Sequence, residues 1–377
     1  MFVMRLAPFA VLVALTAALG ACASDTPSTP AAEGAADAEG PLVVYSGRKD
    51  VLVGPLVERF ERETGIDVEV KYGTDAELLA AMAEEGAASP ADVFWANTEG
   101  ALVEATDQFV ALPDSLTSKP AAFAPEGGQW VPITTRFRVL AYAPSRVDTS
   151  SLPASVMALP DLTPLRGRIG WTPTYSSFQD FISAMRTTEG EPATAAWIDG
   201  MKALQPKAYA SNSPMLEALE AGEIDIALTN HYYVLRMTEG GEEGEVETPE
   251  EEAAEQAAEA ATEARGEAGD EAGGPDVAMH HFAAGDVGNL ALVTGAGIRA
   301  TSRRQQAARR FLAFLLAPEA QAFAAEEVHE YPVVRGAALP RALMPLDRAL
   351  ALGPDLDPAA LADLEATLAL LRTKELL

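Results

Sequence analysis

From residue 42 onward the chain alternates short apolar runs with stretches of helical spacing. Leu42 to Tyr45 follows Pro41 as a strand, and Leu56, Val57 and Phe60 then share a helical face that Gly65 ends. Ile66, Val68, Val70 and Tyr72 alternate as a second strand. Thr74 and Glu77 form a capping box ahead of Leu78, Leu79 and Met82, and Asp92 to Trp95 supplies a third strand. This β-α-β-α-β order predicts a mostly parallel sheet with helices on both faces, in which ligands gather beyond the carboxyl ends of the strands. Further strands are expected at Val139 to Tyr142, Arg168 to Trp171 and Ile224 to Leu228. A helix with the apolar face Phe178, Phe181, Ile182 and Met185 follows the second of these, and another begins at Ser211 to Pro214.

The two ends of this pattern change the picture. Arg5 precedes an apolar run from Leu6 to Leu19 that closes on Gly20, Ala21 and Cys22. The run is shorter than the roughly 20 residues of a membrane span and reads as a secretory signal over residues 1–21. Leu19 to Cys22 resembles a bacterial lipobox, which implies acylation of Cys22; the competing reading is a buried thiol. Cys22 is the only cysteine, so disulfides are excluded. Residues 22–41 lack large apolar side chains and are expected to form a flexible tether. The rest is too long for one ordinary core and suits two lobes of about 150 residues.

Charge adds one more segment. About half of the net charge of −29 sits between Thr238 and Asp276, where fifteen acidic residues face the single Arg265. Residues 238–276, rich in Glu, Ala and Gly, are expected to be a disordered acidic insertion that either is merely solvated or gathers cations by attraction. Such an acidic chain, without a basic aromatic patch, excludes nucleic acid as a partner.

Candidate chemistry lies in the turns after the strands. Ser46-Gly47-Arg48-Lys49 combines a glycine, which admits backbone amides to a ligand, with a planar guanidinium suited to an anion. Asn97 to Gly100 follows the third strand. Arg136 and Arg138, one residue apart ahead of the strand at Val139, point to one side of an extended chain. Ser176 and Ser177 would cap the helix after Tyr175, and a helix amino terminus is a ready anion site, although plain capping explains the serines equally well. Asn212 opens the next helix, and Asn230-His231-Tyr232-Tyr233 ends the apolar strand before it. Adjacent tyrosines usually pack; here they sit at the switch-point edge, where a phenolate is a hard oxygen donor for a hard trivalent ion.

The order of these sites resembles the periplasmic ferric-binding proteins of bacterial ABC iron importers. The resemblance runs from about Leu42 to Pro340 on VVYSGRKD (43–50), SPADVFWANTEGAL (89–102), TRFRVLAY (135–142), RGRIGWTPTYSSF (166–178), YASNSPMLEALEAGEIDIALTNHYY (209–233), AAGDVG (283–288) and EYPVV (330–334). It implies a two-lobe α/β periplasmic binding protein fold of the type II kind, with mixed, mostly parallel sheets and hinge crossovers. Lobe one is then expected at 42–138 plus 292–342, and lobe two at 139–291 plus 343–377. It implies Fe(III) held by Tyr232 and Tyr233 with a synergistic anion, expected to be carbonate. Tyr175 becomes the candidate third metal ligand, and Arg138, Arg136, Arg48, Ser176, Ser177, Asn212 and Asn230 the anion pocket. Where some members supply a histidine and a glutamate from the first lobe, this chain has Lys49 and Asn97, neither a good iron donor. The resemblance further implies a monomer in the periplasm or at the cell surface, lipid-anchored to the membrane, serving an ABC permease and its ATPase.

Two other classes compete. A binding protein for another small solute, such as an anion, thiamine or a polyamine, could use the same fold, although a polyamine site would want carboxylates and aromatic faces where this chain offers arginines, asparagines and hydroxyls. An envelope enzyme is the other class. His231, His280, His281 and His329 show no metal-ligand spacing, and the chain has no nucleophile elbow, no phosphate loop and no candidate catalytic cysteine, so no enzyme is expected.

Overall fold

The computed structural model describes residues 37–239, 274–356, 361 and 363–377. The expected signal, Cys22, the tether up to residue 36 and most of the acidic insertion lie outside the described residues. Among the described residues no helix is long and apolar enough to cross a membrane.

The opening β-α-β-α-β order holds. Strand β1 (Leu42–Ser46) runs parallel to β2 (Val68–Tyr72) on one side and to β3 (Val93–Ala96) on the other. Helix α1 (Asp50–Thr64) ends where Gly65 turns left-handed at φ 67°, and α2 (Asp75–Glu85) begins with the full Thr74–Glu77 capping box. Short helices α3 (Glu99–Glu104) and α4 (Asp114–Thr117) lead to β4 (Trp130–Tyr142), thirteen residues buried throughout. Thr135 to Arg138, expected ahead of a strand at Val139, lie inside it. A strand covered on both faces shows no alternation to mark its start.

β4 joins two halves of one mixed sheet. From Trp130 to Phe137 it pairs antiparallel with β9 (Ala291–Ile298), which in turn pairs with β3; the two-residue β10 (Tyr331–Pro332) lies on Thr134 and Thr135. From Arg138 to Tyr142 its partners are β7 (Ile226–Asn230) and β8 (Ala278–His280). β5 (Ile169–Trp171) runs parallel to β7 and to β6 (Lys207–Ala208), giving the order β2-β1-β3-β9-β4-β7-β5-β6. The partners change between Phe137 and Arg138, so neighbouring residues of one strand belong to different halves.

Each half has its own core. Phe60 meets Phe311 edge to face at 5.1 Å among Leu42, Val93, Trp95 and Ile298 in the first. In the second, α5 (Ser176–Thr188) and α6 (Glu191–Ala203) pack Phe178, Phe181 and Trp197 against Trp171, Ile226 and Leu228. The helix Leu364–Thr373 closes on α5, where the Thr367 and Ser183 hydroxyls lie 2.7 Å apart. A smaller cluster of Phe137, Leu235, Tyr331 and Leu343 surrounds the crossing point.

Helices α7 (Asn212–Glu220) and α8 (His231–Glu239) complete the second half. Both ends of the expected acidic insertion lie within the described residues. Thr238 and Glu239 belong to α8, and Asp276 accepts hydrogen bonds from the Ser145 amide and hydroxyl and from Arg146. Those bonds hold the Asp276 carboxyl below its usual range, the Ser145 hydroxyl contributing most.

Candidate functional site

The first side of the site grows from the carboxyl ends of β1 and β3. A Cβ on Gly47 would lie 1.9 Å from Asp75 Oδ1 and 3.0 Å from Asn97 N, so only glycine allows the turns to meet. The Asp75 carboxylate accepts from the amides of Asn97 and Thr98 and from the Thr98 hydroxyl at 2.8–2.9 Å. Burial pushes its pKa up, against those bonds and the charge of Arg136. Arg48 donates to Asn97 Oδ1 and to Glu330 Oε1, both at 2.6 Å; Arg48 is 3% exposed and Glu330 fully buried. Glu330 also accepts from the Thr134 hydroxyl, and Arg136 donates twice to the Asn97 carbonyl at 3.2 Å. Arg48 is therefore neutralised within this network, and Arg136 is directed into it. Both arginines, expected in the anion pocket, have amide, carboxylate or carbonyl partners from the first half.

The second side is built differently. Tyr175 precedes the first turn of α5 and Tyr233 lies on the first turn of α8, and their hydroxyls are 2.6 Å apart. The Tyr232 and Tyr233 rings stack with centroids 4.2 Å apart. All three tyrosines are at most 4% exposed. Beside them lies Arg138, wholly buried, donating through Nη1 to Ser177 Oγ and Asn230 Oδ1 at 3.2 Å each. Burial pushes the guanidinium down to about 10, opposed by Tyr232, Tyr175, Tyr233 and Asp180, so it stays charged at neutral pH. Arg138 Nε and Nη2, both polar atoms of the Asn212 side chain, Asn230 Nδ2 and Thr172 Oγ1 are buried without a hydrogen-bond partner. Buried polar atoms are seldom left this way, and those of Arg138 and of Asn230, which Arg138 touches, fit a small anion.

Of the residues expected at the site, the structure thus brings together Tyr175, Tyr232, Tyr233, Arg138, Ser177 and Asn230, while Asn212 is buried at the start of α7. The serines do not act as caps: neither Tyr175 at the start of α5 nor Ser211 at the start of α7 makes a side-chain cap, and Ser177 accepts from Arg138 instead. Ser176 opens α5 next to Tyr175. The tyrosine pair begins a helix rather than ending a strand. On that helix His231 and Tyr232 meet edge to face at 5.9 Å.

Three residues escaped the sequence. Arg236, one turn beyond the tyrosines, holds its guanidinium 4.7 Å from the Tyr232 ring centroid and 4.9 Å from that of Tyr233. A cavity of about 280 Å³ between α7 and α8, lined by Leu216, Glu217, Arg236 and Met237, reaches Tyr233. Reading Asn230 as a helix start would have placed Arg236 on the tyrosine face by its spacing. Asp75 and Glu330 carry no such local signal. Among the described residues no group of three or more His, Cys, Asp or Glu is placed to hold a metal.

The profile of the bacterial extracellular solute-binding proteins matches residues 42–327. The chain belongs to that family. Among solute-binding proteins it is similar to the Fe(3+)-binding periplasmic protein of Serratia marcescens, 29% identical over 316 residues that cover 83% of this chain and 84% of the relative. Iron-bound HitA from Pseudomonas aeruginosa superposes with a TM-score of 0.72 at 30% identity, covering 89% of this chain and 99% of that one. A Trichodesmium protein in complex with iron and citrate shares the fold at a TM-score of 0.68 and 24% identity, over 89% of this chain and 99% of that one. The two-lobe periplasmic binding protein architecture, mixed α/β, accounts for the two sheet halves joined by β4.

Proposed function

We propose that this solute-binding protein takes up ferric iron together with a small anion at the Tyr175–Tyr232–Tyr233 cluster and delivers it to an ABC permease driven by its ATPase. The observation that carries the reading is the cluster of three tyrosines, with the Tyr175 and Tyr233 hydroxyls in contact and the Tyr232 ring stacked on Tyr233, within electrostatic reach of one buried guanidinium whose Nε and Nη2 have no hydrogen-bond partner. Phenolates are hard donors suited to a hard trivalent ion, and Arg138 balances their charge. Three tyrosines fall short of the roughly six oxygens that hard cations tend to take, so a small anion such as carbonate, held by Arg138, Asn212 and Asn230, completes the shell. On this reading residues 42–138 with 292–342 form one lobe, 139–291 with 343–377 the other, and closure about β4 shields the ion. The first lobe donates no metal ligand. Its Arg48–Glu330 pair and the Asn97 turn form a cap that carries no net charge between them.

Purified protein, stripped and reloaded with ferric iron in bicarbonate, is expected to show a visible phenolate-to-iron charge-transfer band that acid bleaches, because metal must compete with protons for the phenols. A colourless protein under these conditions excludes the reading.

The same proposal places the protein in the periplasm or at the cell surface, held by lipid on Cys22. Cys22→Ser is expected to lose acyl labelling and leave the membrane fraction; a variant still acylated or still membrane-bound would remove the anchor.

A further inference from the structure

His231 occupies an unusual position in this architecture. It opens α8 directly before the two tyrosines, and it is 3% exposed. Its Nδ1 accepts from the Phe137 amide at 3.1 Å, which leaves the ring proton on Nε2, 2.8 Å from the His329 carbonyl. The two bonds lead in different directions. Phe137 is the last residue of β4 paired with β9, and the next residue, Arg138, pairs with Asn230 and donates to the Asn230 side chain. Consecutive residues Asn230 and His231 therefore grip consecutive residues of the crossing strand. His329 precedes Glu330, whose carboxylate binds Arg48 and Thr134 and whose amide donates to Ala324 O in the first half. Around the imidazole, the Tyr331 ring lies 5.0 Å away and the Phe137 ring 6.2 Å, so it is packed on both faces of the crossing.

A ring fixed at both nitrogens and wedged between aromatic neighbours moves as one piece with what it binds. Displacing the start of α8 strains either the Phe137 bond or the His329 bond, and the second strain passes through one peptide unit to the carboxylate that holds Arg48. We propose that His231 is a positioning residue that couples the tyrosine platform of the second half to the Arg48–Asn97–Glu330 network of the first. Its consequence for cargo rests on the ferric reading above; the coupling itself does not. A ligand on the tyrosines then biases the arrangement of the opposite turn, and a partner acting on that turn biases the hold on the ligand, since coupling between sites is reciprocal.

The two bonds can be separated chemically. Asn at 231 places an acceptor near the position of Nδ1 and cannot reach His329, whereas Gln places a donor near Nε2 and loses the bond to Phe137. Amide hydrogen exchange of the ligand-free full chain gives the direct test. His231→Asn should speed exchange at Glu330 and Val333 by about tenfold while sparing Phe137, and His231→Gln should do the reverse, a size in the range of site-to-site coupling. Combining His231→Asn with Glu330→Gln should add little to either alone. Should Glu330→Gln fail to fold, Thr134→Val removes one of the same carboxylate's bonds and serves in its place. In the iron-loaded protein, His231→Asn should weaken ferric binding by about tenfold without moving the charge-transfer band, because no ligand is lost. Equal exchange changes at both sites in both variants, or fully additive effects with Glu330→Gln, would show that His231 is ordinary packing and overturn the proposal. A wild type that binds no iron would refute the ferric reading and leave the exchange result to decide the coupling.

Discussion

Replacing Tyr232 and Tyr233 together by phenylalanine is expected to abolish the ferric charge-transfer colour and to weaken iron binding by at least a thousandfold, about 4 kcal/mol at 1.4 kcal/mol per tenfold. The fold should survive. The two rings stack at 4.2 Å inside a cluster with Met215, Leu216 and Leu219, and phenylalanine keeps the ring that makes those contacts. What disappears is two oxygens, one of them the partner of the Tyr175 hydroxyl at 2.6 Å. Losing that hydrogen bond costs about 0.5–1.5 kcal/mol, visible as a lowered Tm in the ligand-free protein. Tyr175→Phe removes the same bond from the other side, so it should lower Tm by a similar amount and weaken iron binding less than the double variant. Titration with a ferric chelate of known affinity, followed at the charge-transfer band, separates the two effects. If the double variant holds ferric iron as tightly as the wild type, the tyrosines are packing residues and the metal lies elsewhere.

The elements that the sequence makes legible are those with local signals. α1 stops at a left-handed glycine, α2 starts with a reciprocal cap, and β1 to β3 are separated by amphipathic helices, so residues 42–96 can be read without tertiary knowledge. β4 defeats the same reading. It is covered on both faces, and its two arginines suggest a polar turn until the partners from β9 and β7 are known to lie beside them. The start of α8 is hidden because Asn-His-Tyr-Tyr continues the apolar strand before it, and only the helical geometry brings His231 and Arg236 onto the tyrosines. Resemblance supplied Tyr175 as a candidate; its contact with Tyr233 joins residues 58 apart in the chain, which no spacing rule anticipates. Arg48 shows the limit most plainly. Its charge suggests an anion site, but its carboxylate partner is 282 residues away, and no spacing in the sequence reveals that pairing.

Arg138 is the reverse case, a guanidinium whose environment leaves it available. Arg138→Ala is expected to weaken ferric binding by about a hundredfold in ambient bicarbonate, the 1.5–3 kcal/mol typical of hydrogen bonds to a charged group, and excess bicarbonate should restore part of the loss. Partial rescue follows because alanine leaves Asn212 and Asn230 in place while opening room for anion and water. Arg138→Lys should fall between, keeping the charge that offsets the phenolates but losing the planar fork that grips two oxygens. Stability should move the other way. A fully buried guanidinium with two donor atoms lacking partners is costly to desolvate, and the downward push of burial on its pKa records that cost. The ligand-free Arg138→Ala protein should therefore melt no lower than the wild type, although it loses bonds to Ser177 and Asn230 at 3.2 Å. Opposite signs for function and stability mark a residue kept for its ligand rather than for the fold. A large drop in the Tm of the ligand-free variant, with iron affinity indifferent to bicarbonate, would instead make Arg138 a structural cation and remove the anion from the site.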